Sequence, residues 1–485
     1  CLAVARNQME ESEDQVVAVA AIPTIPTCSL TDEQRETAQR ALDGENLFIT
    51  GAAGTGKSFL LQYIIQQLES KNPGTVAVTA STGLAAVHLG GITLHSWAGV
   101  PVFGEREKDF KSVEWVFLSR IRRSQGLVDR WRSTKTLIID EVSMLDPIFF
   151  ERLDFLGKKL REDKRAFGGL QLICCGDFLQ LPPVETSKKT RLTEGDTSGD
   201  GDKATFCFQS PSWQRSGLGR GTIHLRESVR HASDPEFIKL LNKIRAGLFP
   251  SEVRQQLGRC HISRKPLPND GIVPTRLYCT NRDVDRENNV ELEKLRGEAH
   301  TSKAKDWIVR RRKSAASTTS STSSLEGGER KRLSELMNRK IPAELVLKAK
   351  AQVVLVKSLH FGDVTLPNGS RGILREIHQM GKGEIAATVD FDCGRSFRVD
   401  ARNFLQQGPH FSLCRKQLPL KLAWAMTVHR SQGMTLTRAE VHLDSSFSFG
   451  QVYVALSRLR GMEGLWISGR GLSEEQIKAD PDALA

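Results

Sequence analysis

Short apolar runs alternate with longer amphipathic stretches between Thr31 and about Glu227. The apolar runs are "NLFIT", "TVAVTAS", "TLIID" and "LQLICCGD". Such alternation predicts a parallel β-sheet whose strands are joined by crossover helices. A second alternating region starts near Arg226 and resumes with "LPLKLAWAMTVHRSQGMTL" and "VYVALSRL". The hydrophobic pattern therefore predicts an α/β protein with two parallel-sheet domains in tandem.

The pattern changes between residues 344 and 415, where short β-like runs are joined by turn sequences. The runs "KAQVVLVKSL", "SRGILREI", "EIAATVDF" and "RSFRVDARNF" are linked by "LPNGS" and "MGKG", which predicts a small β-barrel inserted in the second domain. The Ser/Thr-rich stretch at 310–332 has a composition that cannot form a core, so we expect it to be disordered. Its basic flanks could touch nucleic acid, but a solvated linker is the stronger interpretation.

These changes in pattern divide the chain into segments. The predicted boundaries are 1–29 for a disordered lead-in, 30–225 for the first domain, 226–300 and 416–475 for the two parts of the second domain, 301–343 for a partly disordered insert, 344–415 for the barrel and 476–485 for a tail. Because the chain begins at Cys1 rather than Met, we expect it to be a fragment whose targeting signals lie upstream.

Composition narrows the class of partner. The net charge of +12 and the pI near 9.3 favour a polyanion, although the excess alone leaves nucleic acid an even choice. The nine cysteines have no C-x-x-C spacing, which favours a reducing compartment and argues against structural zinc or an iron–sulfur cluster. No apolar run reaches the ~18 residues that a membrane span needs, so we expect no membrane partner.

The stretch "GAAGTGKS" has the spacing of a phosphate-binding loop. It follows the buried run "NLFIT" and precedes the amphipathic "FLLQYIIQQL", which is the strand–loop–helix context that the motif requires. Its backbone N–H groups would surround the phosphates, Lys57 would neutralise the β/γ oxygens, and Ser58 would ligate Mg²⁺. The predicted nucleotide-binding residues of this loop are Gly51, Ala52, Ala53, Gly54, Thr55, Gly56, Lys57 and Ser58.

Two adjacent acids end the apolar run in "TLIIDEVSML". Asp140 would hold the Mg²⁺ shell at the carboxyl end of its strand, where ligands bind in open α/β sheets. Glu141 would orient and activate the attacking water. Adjacent acids often only cap a strand, but their position one domain-length after a phosphate loop favours catalysis, and hence a hydrolase.

Three further side chains are candidates for contacts with the γ-phosphate. Gln180 and Asp177 in "GDFLQLPPV" follow another apolar run, and Gln180 would sense whether the phosphate is present; alone, this signal is weak. Phosphoryl transfer gains roughly 10³–10⁵ from an arginine supplied by a second element. Arg230 in "ESVRHASDPEF" and Arg458 in "VYVALSRLRG" are the candidates in the second domain, although either could be a surface arginine.

The ordered set of motifs resembles one helicase family. The motifs are "LTDEQRETAQRAL", "GAAGTGKS", "TASTGLAAVHLGGITLHSWAG", "IIDEVSML", "CGDFLQLPPV", "LAWAMTVHRSQGMTL" and "YVALSRLRG". Together with "VRHASDPEFIKLLNKIRAG", similar to that family's signature segment, they resemble the petite-integration-frequency family of superfamily-one, group-B DNA helicases, which translocate 5′ to 3′. The resemblance covers about residues 30–470. It implies two tandem RecA-like domains of the P-loop NTPase class with an SH3-like barrel inserted in the second.

The resemblance also implies residue roles and cofactors. ATP and Mg²⁺ would be the cofactors, with Gln34 contacting adenine and Ser58 and Asp140 at the metal. Lys57, Asp140, Glu141 and Gln180 would perform hydrolysis, and Arg230 and Arg458 would act as arginine fingers. The chain departs from the family at Val229-Arg230-His231, where an aromatic residue and Arg-Gln are usual; the arginine itself is retained.

A translocase must hold phosphates in a sequence-tolerant way and let bases stack on side chains. For Trp97 alone a core position is the stronger interpretation, but the family pattern favours DNA. For Lys357 and Asn368-Gly369 in the barrel, a solvated turn is an equally good interpretation. The predicted DNA contacts are Ser81, Thr82, His95 and Trp97 in the first domain, Lys357 in the barrel, and His429, Arg430, Ser431, Gln451 and Tyr453 in the second domain.

The expected partners are single-stranded DNA and forked, hybrid or quadruplex DNA. We expect a monomer in solution that can dimerise on DNA and work with replication or telomere proteins, in the nucleus and the mitochondrion. Two alternatives stay open from the sequence: a RecD-type repair or conjugation helicase, and a module that binds single strands or quadruplexes without turnover. Against the second, the hydrolytic positions Lys57, Asp140, Glu141, Gln180 and Arg458 are all filled.

Overall fold

The computed structural model describes most of the chain. The described residues are 26–100, 110–183, 206–227, 234–267, 274–310, 323–357, 359–361, 364–366, 369–380, 384–391, 393–407 and 411–484. Within these ranges, every helix is too short or too polar to cross a bilayer.

The first α/β unit begins with a capped helix and contains six strands. Thr31 caps the first helix, since its side chain accepts from the Gln34 N–H while the Gln34 side chain accepts from the Thr31 N–H. The elements are α1 (Asp32–Leu42), β1 (Leu47–Gly51), α2 (Lys57–Lys71), β2 (Val76–Ala80), α3 (Gly83–His88), β3 (Ile92–Thr93), α4 (Leu94–Ala98), α5 (Phe110–Arg122), α6 (Gln125–Ser133), β4 (Thr136–Asp140), α7 (Pro147–Arg161), β5 (Gln171–Cys175), α8 (Pro211–Ser216) and β6 (Thr222–Leu225).

The six strands form one sheet in the order β3-β2-β4-β5-β1-β6, and every pairing is parallel. Strands β1 and β4 are buried along their whole length, which explains why they read as continuous apolar runs. Helices cover both faces of the sheet, and the two faces have separate apolar cores. Because the strands are parallel, the ends of β1, β4 and β5 lie at one edge, where ligands bind in such sheets.

The second α/β unit is divided in sequence by the insertion. Its elements are α9 (Pro235–Arg245), α10 (Ser251–Arg259), β7 (Thr275–Tyr278), α11 (Asn281–Lys294), β20 (Ala425–Thr427), α13 (Val428–Ser431), β21 (Ala439–His442), α14 (Gln451–Ser457) and β22 (Leu465–Ser468), with α15 (Pro481–Leu484) after them. The four strands pair in parallel in the order β20-β7-β21-β22.

Antiparallel strands fill the segment between the two parts of this unit. They are β8 (His300–Lys303), β9 (Lys305–Arg310), β10 (Glu344–Leu347), β11 (Gln352–Leu355), β12 (Leu359–Phe361), β13 (Val364–Leu366), β14 (Arg371–Met380), β15 (Glu384–Phe391), β16 (Ser396–Val399), β17 (Arg402–Gln407), β18 (Phe411–Gln417) and β19 (Leu420–Leu422). The largest antiparallel sheet has the order β16-β15-β14-β11-β19. Two parallel-sheet units with an antiparallel β insertion in the second confirm the predicted fold class.

The insert predicted to lack packed structure is partly ordered. Helix α12 (Ser323–Lys340) starts inside the Ser/Thr-rich stretch, and Leu333 and Met337 are buried beside Leu413 of β18. Apolar residues one helical turn apart gave this helix a buried face, which the polar composition of the segment concealed. Residues 311–322 lie outside the described ranges.

Candidate active site between the two units

The phosphate loop connects β1 to α2 at the carboxyl edge of the first sheet. The Lys57 Nζ donates to the carbonyl oxygens of Gly51 at 2.7 Å and Ala52 at 3.0 Å. A Cβ at Gly51 would lie 2.5 Å from the Leu225 carbonyl oxygen, at a φ of +151°, so glycine is required there. Gly56 adopts the left-handed conformation (φ 79°) as the residue before α2. Ser58 is exposed in the first turn of this helix, where backbone N–H groups favour anions.

The two acids follow β4, two strands away. The Asp140 Oδ1 accepts the Glu141 backbone N–H at 2.9 Å. Burial, and then the neighbouring Glu141 charge, raise the pKa of Asp140 to about 7, while the backbone hydrogen bond and Lys57 oppose the shift. Glu141 has a φ of 53°, a conformation that is costly for a non-glycine residue and common at functional sites. Its Oε2 accepts the Gln432 side-chain N–H at 2.9 Å from the second unit.

The loop after β5 brings the predicted phosphate sensor to the predicted finger. The Arg458 guanidinium donates to Gln180 Oε1 at 3.2 Å and to its own helix at the Val454 carbonyl, at 3.0 Å. Arg458 is only 3% exposed. Burial lowers its pKa, against the opposing charge of Glu141. An arginine of the second unit therefore reaches the catalytic edge of the first, as hydrolysis between two units requires.

Gly450 permits the closest backbone approach between the units. It precedes α14 with a φ of +68°, and a Cβ added there would lie 2.5 Å from the Gln180 carbonyl oxygen and 2.6 Å from that of Leu179. No side chain fits at that separation without moving one unit.

A cavity of about 400 Å³ adjoins the phosphate loop beneath the second unit. Gly51, Ala53 and Thr55 line one side, and Asn242, Arg245 and Tyr453 line the other. Gln34 is buried nearby, and its Nε2 lies 3.4 Å from the Thr55 carbonyl oxygen. The side chain predicted to contact adenine therefore lies against the phosphate loop. Arg230 and His231 fall outside the described residues.

Five predicted DNA contacts lie at least partly at the surface. Ser81 and Thr82 are half-buried after β2, with the Ser81 hydroxyl donating to the Glu141 carbonyl at 2.9 Å. His95 is stacked on Phe149, with ring centroids 4.1 Å apart, and burial lowers its pKa despite Asp146. Burial also lowers the pKa of the half-buried His429, and Arg430 beside it is exposed.

Four predicted DNA contacts are wrong in this structure because their side chains are buried. Trp97 is 3% exposed and packs on Trp131 at 4.4 Å, so the core interpretation was the better one. The buried Ser431 hydroxyl donates to the Val428 carbonyl at 2.8 Å. Gln451 is fully buried, and its Oε1 accepts the Phe447 N–H at 3.1 Å.

The fourth is Tyr453, whose hydroxyl accepts the Ala53 N–H at 2.7 Å and which therefore contacts the phosphate loop. In the inserted β region, the exposed Lys357 donates to the Asn403 carbonyl at 3.1 Å, which fits the solvated-turn interpretation. Asn368 lies outside the described residues, and Gly369 lies just within them.

The sequence interpretation missed three residues that the second unit contributes to the cleft. They are Gln432, Gly450 and Arg245, which pairs with Asp177. A usable signal existed for Gln432, since it directly follows the predicted His429–Ser431 contact. Arg245 carried no local signal, because a basic residue in the last turn of a helix is ordinarily explained by the helix dipole.

This arrangement defines a P-loop NTPase in which a second α/β unit closes over the phosphate loop. Comparison with known proteins specifies the family. The family model described as "PIF1-like helicase" matches residues 29–255. The chain belongs to the PIF1-like helicase family, which confirms the resemblance seen in its motifs.

Relatives and solved structures agree along most of the chain. It is 38% identical over 463 residues to the ATP-dependent DNA helicase PIF1 of Danio rerio, covering 94% of this chain and 63% of that protein. Identity to the Xenopus laevis protein of the same name is 36%, covering 98% and 67%. The chain thus spans about two thirds of the length of these relatives or slightly less.

Two solved structures are similar in fold. The Pif1 helicase of Candida albicans has a TM-score of 0.76 and 32% identity, covering 94% of this chain and 97% of that one. A Bacteroides Pif1 helicase solved with ADP-AlF3 and single-stranded DNA has a TM-score of 0.69 and 26% identity, covering 94% and 95%.

Proposed function

We propose that this chain is the motor of an ATP-dependent DNA helicase that translocates 5′ to 3′ on single-stranded DNA. The contact between Arg458 of the second unit and Gln180 of the first carries the proposal. It joins a finger residue to a phosphate sensor across the cleft that the phosphate loop occupies. Binding or loss of the γ-phosphate would then change how tightly the units are held together, as a motor requires.

Each residue of the cleft has a role in hydrolysis. Lys57, already turned toward the mouth of the phosphate loop, neutralises the β/γ oxygens. Glu141 accepts the proton of the attacking water, and Gln432 holds its carboxylate in position. Arg458 stabilises the charge that develops on the transferred phosphoryl group. Because Gln432 and Arg458 both belong to the second unit, hydrolysis would require the units to close.

Magnesium is the metal that the donor set fits. Asp140 and Ser58 offer a carboxylate and a hydroxyl oxygen, the hard ligands that Mg²⁺ prefers when it also binds substrate phosphates. When bound, the ion would neutralise charge on the β- and γ-phosphates. Asp140 would hold it, oriented by the hydrogen bond from the Glu141 N–H.

The DNA strand would cross both units. Ser81, Thr82 and His95 would contact it in the first unit, and His429 and Arg430 in the second. Separation of a duplex, a DNA–RNA hybrid or a quadruplex would follow from alternating grip by the two units. Two copies could act together on a fork, because a similar solved structure concerns the unwinding of forked double-stranded DNA by two coordinating Pif1 helicases.

The direction of movement is tested by strand displacement on duplexes with a single 5′ or 3′ tail, with ATP hydrolysis followed in parallel. We expect displacement from the 5′ tail only. Displacement confined to the 3′ tail would overturn the proposed direction, and hydrolysis without displacement from either tail would overturn the helicase proposal.

The engine itself is tested by Lys57→Ala. We expect hydrolysis and unwinding to fall at least ~100-fold, because the transferred phosphate loses its main cation, while DNA binding stays within about two-fold. Lys71→Ala is the matched control, since it removes an exposed lysine from the other end of the same helix. Unwinding by Lys57→Ala at the control's rate would contradict the assignment.

We further propose that the protein acts in genome maintenance at telomeres, replication forks and mitochondrial DNA, in both the nucleus and the mitochondrion. The basic charge and the family membership support a DNA partner in either compartment. Imaging of a tagged protein expressed from its complete gene tests this, and a signal confined to the cytosol would contradict it.

A further inference from the structure

Two side chains of the second unit contact the two phosphate-handling loops of the first. Arg245 is the last residue of α9, and Tyr453 lies in the first turn of α14. These two helices pack against each other. Neither residue is among the catalytic residues proposed above, and the two together are called the interdomain link below.

Arg245 holds the loop that carries the phosphate sensor. Its Nε and Nη2 donate to the two carboxylate oxygens of Asp177 at 3.1 and 2.7 Å. Asp177 is fully buried, and its oxygens also accept the Leu179 N–H at 3.2 Å and the Gln180 side-chain N–H at 3.4 Å. Since a bidentate arginine–carboxylate pair fixes orientation as well as distance, movement of α9 would move Gln180.

Tyr453 holds the phosphate loop. Its hydroxyl accepts the Ala53 N–H at 2.7 Å, and the ring is 2% exposed. Burial raises the pKa of this hydroxyl, so it stays a neutral acceptor at physiological pH. The phosphate loop is therefore tied to the second unit through a backbone hydrogen bond.

The two contacts are joined to each other. The Arg245 guanidinium interacts with the Tyr453 hydroxyl, and burial would lower its pKa were it not for Asp177, whose charge and hydrogen bonds raise it. A continuous chain of polar contacts thus runs from Ala53 through Tyr453, Arg245 and Asp177 to Gln180. It bypasses Arg458, which reaches Gln180 from the other direction.

We propose that Arg245 and Tyr453 are positioning residues that set the phosphate loop and the phosphate-sensing loop according to the position of the second unit. The proposal rests on the ATP hydrolysis proposed above. It assigns to α9 a role in turnover, because α9 carries Arg245 to the sensor loop. The link touches the loops rather than the phosphates, so it governs kcat for hydrolysis rather than KM for ATP.

The test is steady-state ATP hydrolysis at saturating single-stranded DNA by Tyr453→Phe and Arg245→Lys. Small misplacements of reacting groups can cost up to ~100-fold in rate, so we expect kcat to fall roughly ten-fold in each variant, with KM and DNA affinity within about two-fold. Tyr63→Phe and Arg259→Lys are matched controls: the Tyr63 hydroxyl contacts Thr27 instead, and Arg259 is an exposed last residue of α10.

A double substitution tests whether Arg245 acts through Asp177. We expect Arg245→Gln, Asp177→Asn and the combined variant to lower kcat by similar factors, because residues that act as one unit are non-additive. Multiplication of the two single effects would overturn that route. If loss of the buried pair prevents folding, Arg245→Lys and Tyr453→Phe still decide, since they keep the charge and the ring.

The outcomes separate this proposal from the one on which it rests. A parent chain without DNA-stimulated hydrolysis would overturn the proposed function. An active parent with unchanged kcat in both Tyr453→Phe and Arg245→Lys, or with a change in KM alone, would overturn the interdomain link and leave the helicase proposal standing.

Discussion

The nucleotide cleft and the predicted DNA-contacting residues are built differently. In the cleft, a side chain of one unit meets a partner from the other, as Glu141 meets Gln432 and Gln180 meets Arg458. Near the predicted DNA path, side chains contact only their own unit, as His95 does with Phe149. The difference suggests that turnover depends on a few shared contacts, whereas DNA affinity is distributed over many small ones.

The largest expected effect is at the shared contact itself. Arg458→Ala should lower DNA-stimulated hydrolysis by roughly 10³-fold, because an arginine finger contributes 10³–10⁵ to phosphoryl transfer. DNA affinity, measured by fluorescence anisotropy, should stay within about two-fold. Arg460→Ala is the matched control, since Arg460 is exposed two residues further on. Equal effects of the two substitutions would show that the buried contact has no special role.

A distributed DNA surface predicts a smaller and salt-dependent effect at Arg430. Arg430→Ala should weaken single-strand binding about three- to ten-fold and reduce the slope of log affinity against log salt by about one, because one phosphate contact is lost. Arg220→Ala provides the comparison: Arg220 is exposed before β6, at the opposite edge of the first sheet. An unchanged salt slope for Arg430→Ala would remove this residue from the DNA path.

The smallest expected effect on DNA is at Trp97, which the structure assigns to the core. Trp97→Phe should leave DNA affinity within about two-fold and cost about 1 kcal/mol of stability by thermal unfolding, because a buried ring is replaced by a smaller one. A clear loss of DNA affinity at an unchanged melting temperature would return Trp97 to the DNA surface and weaken the contrast between the two regions.

The sequence predicts the cleft best where function requires neighbouring residues. The phosphate loop, the Asp140-Glu141 pair and the loop around Gln180 each follow a buried strand, and parallel strands bring their carboxyl ends together. Contacts from the second unit were harder to predict. Ala53 and Tyr453 are separated by 400 positions, and no local periodicity encodes a hydrogen bond over that distance.

The wrong predictions have a common cause. Trp97, Ser431, Gln451 and Tyr453 are aromatic or polar residues in motifs that resemble a DNA-handling family, and the resemblance indicates the neighbourhood rather than the direction of each side chain. Direction depends on the local helix: α14 is buried along its whole length, so its residues face the core and the cleft. Helix α12 was missed for the opposite reason, since its few apolar residues were outnumbered by polar ones.

Gly450 has a consequence for how the motor could be studied. Because its backbone touches that of Gln180, the absence of a side chain fixes the shortest separation that the two units can reach. Ala, Ser and Val at position 450 would add bulk in small increments and would hold the units progressively further apart. That series would calibrate, in steps of about one carbon atom, how much gap the chemistry tolerates.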